Sequence, residues 1–151
     1  MQIGDYAPDF TLRDQYGVEQ SLAALLERGP IVLFFYPAAM TSGCTKESCH
    51  FRDLGGEFDA LGAQRIGISM DTVARQATFT SANRLDYPLL ADEGGRVAKL
   101  FAVKRTFDFL KVRRTTFVIA RDHRILDVIT SEFDMAAHAD RALTALRTLR
   151  A

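Results

Sequence analysis

A chain of 151 residues with 48% hydrophobic residues is long enough to bury one sizeable core. Its 19 basic and 19 acidic residues cancel, which removes any electrostatic reason to expect nucleic acid or an anionic membrane surface as a partner. No run approaches the roughly 18 apolar residues of a transmembrane helix, and the opening MQIGDYAPDF lacks a basic-then-apolar signal pattern, so a single cytoplasmic domain over residues 1–151 is expected.

In chain order there is no repeat, no low-complexity segment and no Pro/Gly/Ser linker. Asp9–Leu12 and Val18–Ser21 flank a turn-like DQYG (Asp14–Gly17), which predicts a small hairpin. Leu22–Glu27 reads as a short helix ended by Gly29 and Pro30. Ile31–Tyr36 (IVLFFY) is a continuous apolar run, the pattern of a strand covered on both faces. Phe51, Leu54, Phe58 and Leu61 recur at three and four, predicting a helix over 42–61. Arg65–Ser69 is a second buried strand, followed by a helix over Thr72–Asn83. Tyr87–Asp92 is a short extended piece and Gly95–Phe101 a short helix. Thr115–Ala120 and Arg124–Thr130 are strands on either side of a tight connection. Met135–Leu149, with Ala139, Leu143 and Leu146 on one stripe, closes the chain as an amphipathic helix. This order predicts an α/β fold: a mixed central sheet, helices on both faces, and an N-terminal β-hairpin extension. It resembles the thioredoxin-like arrangement; the order of strands within the sheet is open.

The chemistry concentrates at Phe34–Asp53, FFYPAAMTSGCTKESCHFRD, where the apolar strand breaks at Pro37 and a small-residue loop leads into the helix. Two cysteines so close together form no secreted disulfide framework, and in a reducing compartment the bland reading is inert packing. Their surroundings argue otherwise. Cys44 lies in the first turn of the helix, where unpaired N–H groups and the macrodipole favour an anion. Seven residues before Phe51, it shares the inward stripe. Cys49 is rotated about 140° from it, and on ideal geometry the two Cα atoms are roughly 8–9 Å apart. A disulfide tolerates no more than about 7 Å. If the pair is functional, the first turns of this helix must unwind to let them meet.

Arg114 directly precedes the strand Thr115–Ala120 and is placed to reach the same pocket; its bland reading is a solvated charge in the basic run Lys111–Arg114. Thr41, three residues before Cys44, carries a hydroxyl able to meet the thiol or to cap the helix. Pro37 ends the strand. His50, His123 and His138 are scattered, with no Cys/His cluster at ligand spacing, so no metal is expected. Glu47 and Arg52 flank the cysteines as a possible ion pair, or as an exposed pair with little coupling. No glycine-rich phosphate loop follows a strand, so no nucleotide cofactor is expected.

At these residues the chain resembles the peroxiredoxins. PAAMTSGC is similar to their P-x-x-x-T-x-x-C motif, and the continuation CTKESCHFRD, with a cysteine five later, resembles the bacterioferritin-comigratory or Q-type subfamily. Gly4–Phe10 resembles the family's opening, Tyr87–Asp92 its F-P-L-L-x-D segment, and Arg114–Ile119 its R-x-T-F-x-I strand. Ala38 and Ala39 stand where the subfamily usually has Lys-Asp, and Ser42 where it has Pro.

The resemblance implies a thiol peroxidase without metal, haem or flavin, which reduces hydrogen peroxide and organic hydroperoxides in antioxidant defence. Cys44 is implied as the peroxidatic cysteine that becomes a sulfenic acid, Thr41 as the hydroxyl aligning peroxide and thiolate, Arg114 as the cation at the breaking O–O bond, and Pro37 as a shield from water. Cys49 is implied as the resolving cysteine, and a thioredoxin-like protein as the reductant of the resulting disulfide. A resolving thiol in the same chain makes a monomer the expectation. Two other readings stand beside this one: a general thiol–disulfide oxidoreductase, which normally carries C-x-x-C, and a copper-delivery module, which needs a downstream histidine ligand.

A magnitude separates two uses of Arg114. A free thiol of pKa ~8.5 is already about 3% thiolate at neutral pH, so raising the thiolate population yields at most roughly 30-fold. Larger acceleration must come from groups that bind charge more tightly in the transition state. Arg114 and Thr41 are therefore expected to act mainly by aligning and polarising the peroxide.

Overall fold

The apolar run at the centre of the chain forms strand β3 (Ile31–Phe35), and its pleat dictates the layers around it. Successive side chains leave a strand on opposite faces. Ile31, Leu33 and Phe35 enter one core; Val32 and Phe34, with Tyr36 just beyond the strand, enter another. A strand buried on both faces needs helices on both sides. Helices α1 (Leu22–Leu26) and α5 (Arg96–Leu100) bring Leu25, Leu26 and Val97 to the first core. Helices α2 (Ser42–Asp53), α3 (Gly55–Ala60), α4 (Val73–Asn83) and α6 (Met135–Arg150) cover the opposite face through Phe51, Phe58, Phe79 and Leu143. This computed structural model describes residues 1–105 and 111–150; the remainder of the span 1–151 expected to form one domain lies outside the described residues.

The other strands are β1 (Thr11–Arg13), β2 (Glu19–Ser21), β4 (Gln64–Ser69), β5 (Leu89–Ala91), β6 (Thr115–Ile119) and β7 (Ile125–Thr130). They join β3 in one sheet of order β2-β1-β5-β4-β3-β6-β7. β3 runs parallel to β4 and antiparallel to β6, so the sheet is mixed and carries helices on both faces, as expected. The N-terminal hairpin β1–β2 is also present, attached to the sheet through β5.

The helix expected over 42–61 is two helices. It breaks at Leu54, whose φ of −92° and ψ of 12° leave the helical region. The cause is local and tertiary at once. Gly55 and Gly56 are poor helix residues, and the buried Arg65 side chain donates from Nη1 to the Phe51 carbonyl at 3.1 Å, satisfying the last turn of α2. A Cβ at position 55 would stand 3.0 Å from that guanidinium, so Gly55 leaves the room Arg65 occupies. Thr72, counted above with α4, is instead its N-cap, accepting from the Arg75 amide.

Candidate active site

Pairing of Phe35 with Thr115 across β3 and β6 sets the residue before β6 beside the end of β3. That residue is Arg114, and the end of β3 is where the chain turns through Pro37 towards Cys44. Two residues 70 apart in sequence therefore meet: Arg114 Nη2 donates to Cys44 Sγ at 3.2 Å. Cys44 is fully buried in the first turn of α2, and Arg114 is 5% exposed. Gly43 permits the approach. A Cβ there would stand 3.2 Å from the Met135 methyl and 3.4 Å from Arg114 Nη2.

The second arm of the guanidinium binds Glu47, with Nη1 donating to Oε1 at 2.7 Å. Glu47 lies three residues after Cys44, on the same face of α2, and is fully buried. Neither reading of Glu47 and Arg52 holds: they do not pair, and Glu47 is not exposed. Helical spacing points Glu47 inward, whereas Arg52 donates to Asp53 and to the Asn83 carbonyl. Burial pushes the Glu47 carboxyl up to about 7 and Glu132 adds to that, while Arg114 opposes both. Burial in turn works against the charge on Arg114, but Glu47 and Cys44 more than offset it and hold the guanidinium above its ordinary value.

Behind Glu47 stands His138 of α6, also fully buried. Its Nε2 lies 2.8 Å from the Ser131 carbonyl, which accepts only, so Nε2 carries the proton. Nδ1 of the neutral ring then accepts from the Thr116 hydroxyl at 2.7 Å. Desolvation lowers the His138 pKa and favours this neutral form, against the Ser131 carbonyl. Glu47 Oε2 lies 3.5 Å from Nδ1 and, among the described residues, accepts no hydrogen bond. In sequence His138 is one of three scattered histidines; its partners come from β6 and from Ser131, which no local pattern indicates.

Thr41 occupies the N-cap position of α2 by backbone conformation, but its side chain caps nothing. Its hydroxyl donates to the Ala38 carbonyl at 2.8 Å, and the residue is exposed. Pro37 is buried and, with Ala38, Thr41, Gly43, Arg114, Phe133 and Met135, lines a cleft of about 480 Å³ that reaches Arg114 and Gly43, the neighbours of Cys44, while the buried Cys44 is not part of its lining. The loop is anchored from the α4 side. The Ala39 amide donates to Asp71 at 2.7 Å, and Arg75 donates to the Ala39 carbonyl. Met40, at the tip, has a φ of 69°, a conformation L-residues seldom adopt.

Cys49 faces elsewhere. It is partly buried, and its Sγ donates to Asn83 Oδ1 on α4 at 3.7 Å. Both cysteines are free thiols, and the helix between them is continuous, as the separation argument requires of the reduced state. His50 of the same helix meets Asp140 of α6 at 2.8 Å. Among the described residues no group of three or more His, Cys, Asp or Glu is placed to hold a metal ion, and no helix is long and apolar enough to cross a membrane.

Residues 3–128 match the AhpC/TSA family. The crystal structure of peroxidoxin BcpB from Mycobacterium tuberculosis is 56% identical and superposes with a TM-score of 0.96, covering 100% of this chain and 99% of that one. The chloroplastic peroxiredoxin Q of Oryza sativa subsp. japonica is 38% identical over 97% of this chain and 67% of its own. The bacterioferritin comigratory protein of Xanthomonas campestris, studied for alkyl peroxide reduction, is 27% identical with a TM-score of 0.85, covering 94% and 92% of the two chains.

Proposed function

The chain belongs to the AhpC/TSA family and within it to the Q-type peroxiredoxins, which are thiol peroxidases, and from that premise we propose that Cys44 is the peroxidatic and Cys49 the resolving cysteine of a hydroperoxide reductase. The observation that carries the reading is the buried guanidinium 3.2 Å from Cys44 Sγ at the start of a helix. The sulfur attacks one oxygen of a hydroperoxide; the S–O bond forms, the O–O bond breaks, and the leaving alkoxide takes a proton as the alcohol. Arg114 stabilises charge on both sides of that transfer. The Cys49 thiolate then attacks the sulfenic sulfur, the disulfide forms, and hydroxide leaves as water. A thioredoxin-like dithiol restores both thiols, and with both cysteines in one chain the protein acts as a monomer. The cytoplasm, where such dithiols are kept reduced, is the fitting compartment. The cleft is far larger than hydrogen peroxide needs, and Phe133 and Met135 give it apolar walls, which suits organic hydroperoxides as well.

Stoichiometric hydrogen peroxide added to the reduced protein tests this reading. Two thiols per chain are expected to disappear rapidly in the wild type. In Cys49→Ser a dimedone-reactive sulfenic acid is expected at Cys44, with no intramolecular disulfide. Oxidation no faster than that of a free thiol would point instead to a thiol–disulfide oxidoreductase or a binding module.

Thr41 acts in this reading only after its hydroxyl leaves the Ala38 carbonyl and turns to the bound peroxide. Thr41→Val is therefore expected to slow sulfenic acid formation about tenfold or more, the worth of a hydrogen bond to a charged group, and Thr41→Ser to retain most of the rate. Stopped-flow measurement of both variants decides it; equal rates for valine and wild type would remove Thr41 from the site.

A further inference from the structure

We propose that the Tyr87 hydroxyl is a latch on the resolving step, holding the peptide that carries Cys49 in its helical orientation. This rests on Cys49 being the resolving thiol. Tyr87 is 6% exposed, and its Oη donates to the Ser48 carbonyl at 2.7 Å. That carbonyl belongs to the peptide plane joining Ser48 to Cys49, between the two cysteines. For Cys49 to swing across α2 and meet Cys44, this plane must rotate and its oxygen must leave Tyr87.

The ring is not free to follow. The Arg65 guanidinium lies 5.1 Å from its centroid, and Phe34 packs edge-on with centroids 5.8 Å apart. Arg65 also holds the Phe51 carbonyl, so the far end of α2 is clamped by the same guanidinium that covers the Tyr87 ring. Rotation of the Ser48–Cys49 peptide therefore leaves a buried hydroxyl without a partner, a cost beyond the helix's own hydrogen bonds. Position 87 is also where the resembled F-P-L-L-x-D segment has phenylalanine. A phenylalanine fills the same space without the donor, so the hydroxyl is an additional tie across the segment that must unwind.

The tie bears on which fate the sulfenic acid meets. Attack by Cys49 forms the S–S bond and releases water; attack on a second peroxide instead oxidises Cys44 to the sulfinic acid. Slower release of Cys49 favours the second outcome.

Tyr87→Phe tests the latch. The rate of sulfenic acid formation is expected to stay at the wild-type value. Disulfide formation after one peroxide pulse is expected to rise roughly threefold to tenfold, with sulfinic Cys44 in peroxide excess falling in proportion. A merely structural role for the hydroxyl would lower the urea midpoint without separating the two steps in this way. Disulfide formation at an unchanged or lower rate in the variant, with the wild type forming the Cys44–Cys49 bond, would overturn the latch and leave Cys49 as the resolving thiol. A wild type that forms no such bond would overturn both.

Discussion

Replacing Arg114 with methionine lowers the second-order rate constant for peroxide reduction by roughly two to three orders of magnitude. Thiolate population accounts for at most about 30-fold of any loss; the remainder measures charge stabilisation at the O–O bond. Arg114 is suited to that work because its fork is already committed, one arm on Cys44 Sγ and the other on Glu47 Oε1. Methionine has similar length and no charge, but it strands Glu47, fully buried, without its cation. Without that cation the carboxyl is pushed up further and takes up a proton, leaving the pair broken from one side, so the single variant loses stability as well as rate, most of all above the wild-type value of about 7. The double variant Arg114→Met/Glu47→Gln separates the two: stability returns and the rate does not. Stopped-flow rates across a range of pH, read beside urea midpoints, check both halves. A loss of 30-fold or less that vanishes at high pH would reduce Arg114 to a stabiliser of the thiolate.

Glu47→Gln changes the pH dependence of stability. Burial raises the Glu47 carboxyl from 4.5 to about 7, so between those values the native state holds a proton that the unfolded chain has released. Native stability therefore falls as pH rises through this window, by on the order of 3 kcal/mol in total, and the deficit is complete above the folded value. Glutamine keeps an oxygen for Arg114 without a charge to desolvate. Relative to wild type, the variant is expected to gain stability steadily from about pH 4.5 to 8. His138 adds an opposite slope: its lowered pKa means stability is lost as pH falls through its ordinary value of 6.5. With Glu47 neutralised by substitution, that slope stands alone, and urea midpoints should climb with pH near 6. Parallel curves for variant and wild type would show that Glu47 is ionised throughout.

Much of this site follows from local pattern, because its first half is local. The apolar run of β3, the break at Pro37 and the helical spacing after it place Cys44 at a helix mouth, facing inward with Phe51. Arg114 stands before a strand, but spacing alone favours a solvated charge in a basic run; the family resemblance is what singles it out. Its partner Glu47 is harder to see: the i, i+3 relation to Cys44 was in the sequence, but proximity suggested Arg52, and only the β3–β6 register shows which cation lies underneath. Thr116, Ser131 and His138 come from three further segments and meet through tertiary packing alone. The break at Leu54 has the same character. The two glycines weaken the helix there, but Arg65, arriving from β4, is what stops it.

The pairing of β3 with β6 has one more consequence. A chain still leaving the ribosome holds Cys44 long before it holds Arg114, and the two cannot meet until both central strands exist and have zipped together. Nascent and unfolded copies thus carry an ordinary thiol. On the proposed assignment of Cys44, heightened reactivity arrives only with completion of the sheet, which spares unfinished molecules from being consumed by the oxidant the mature one removes.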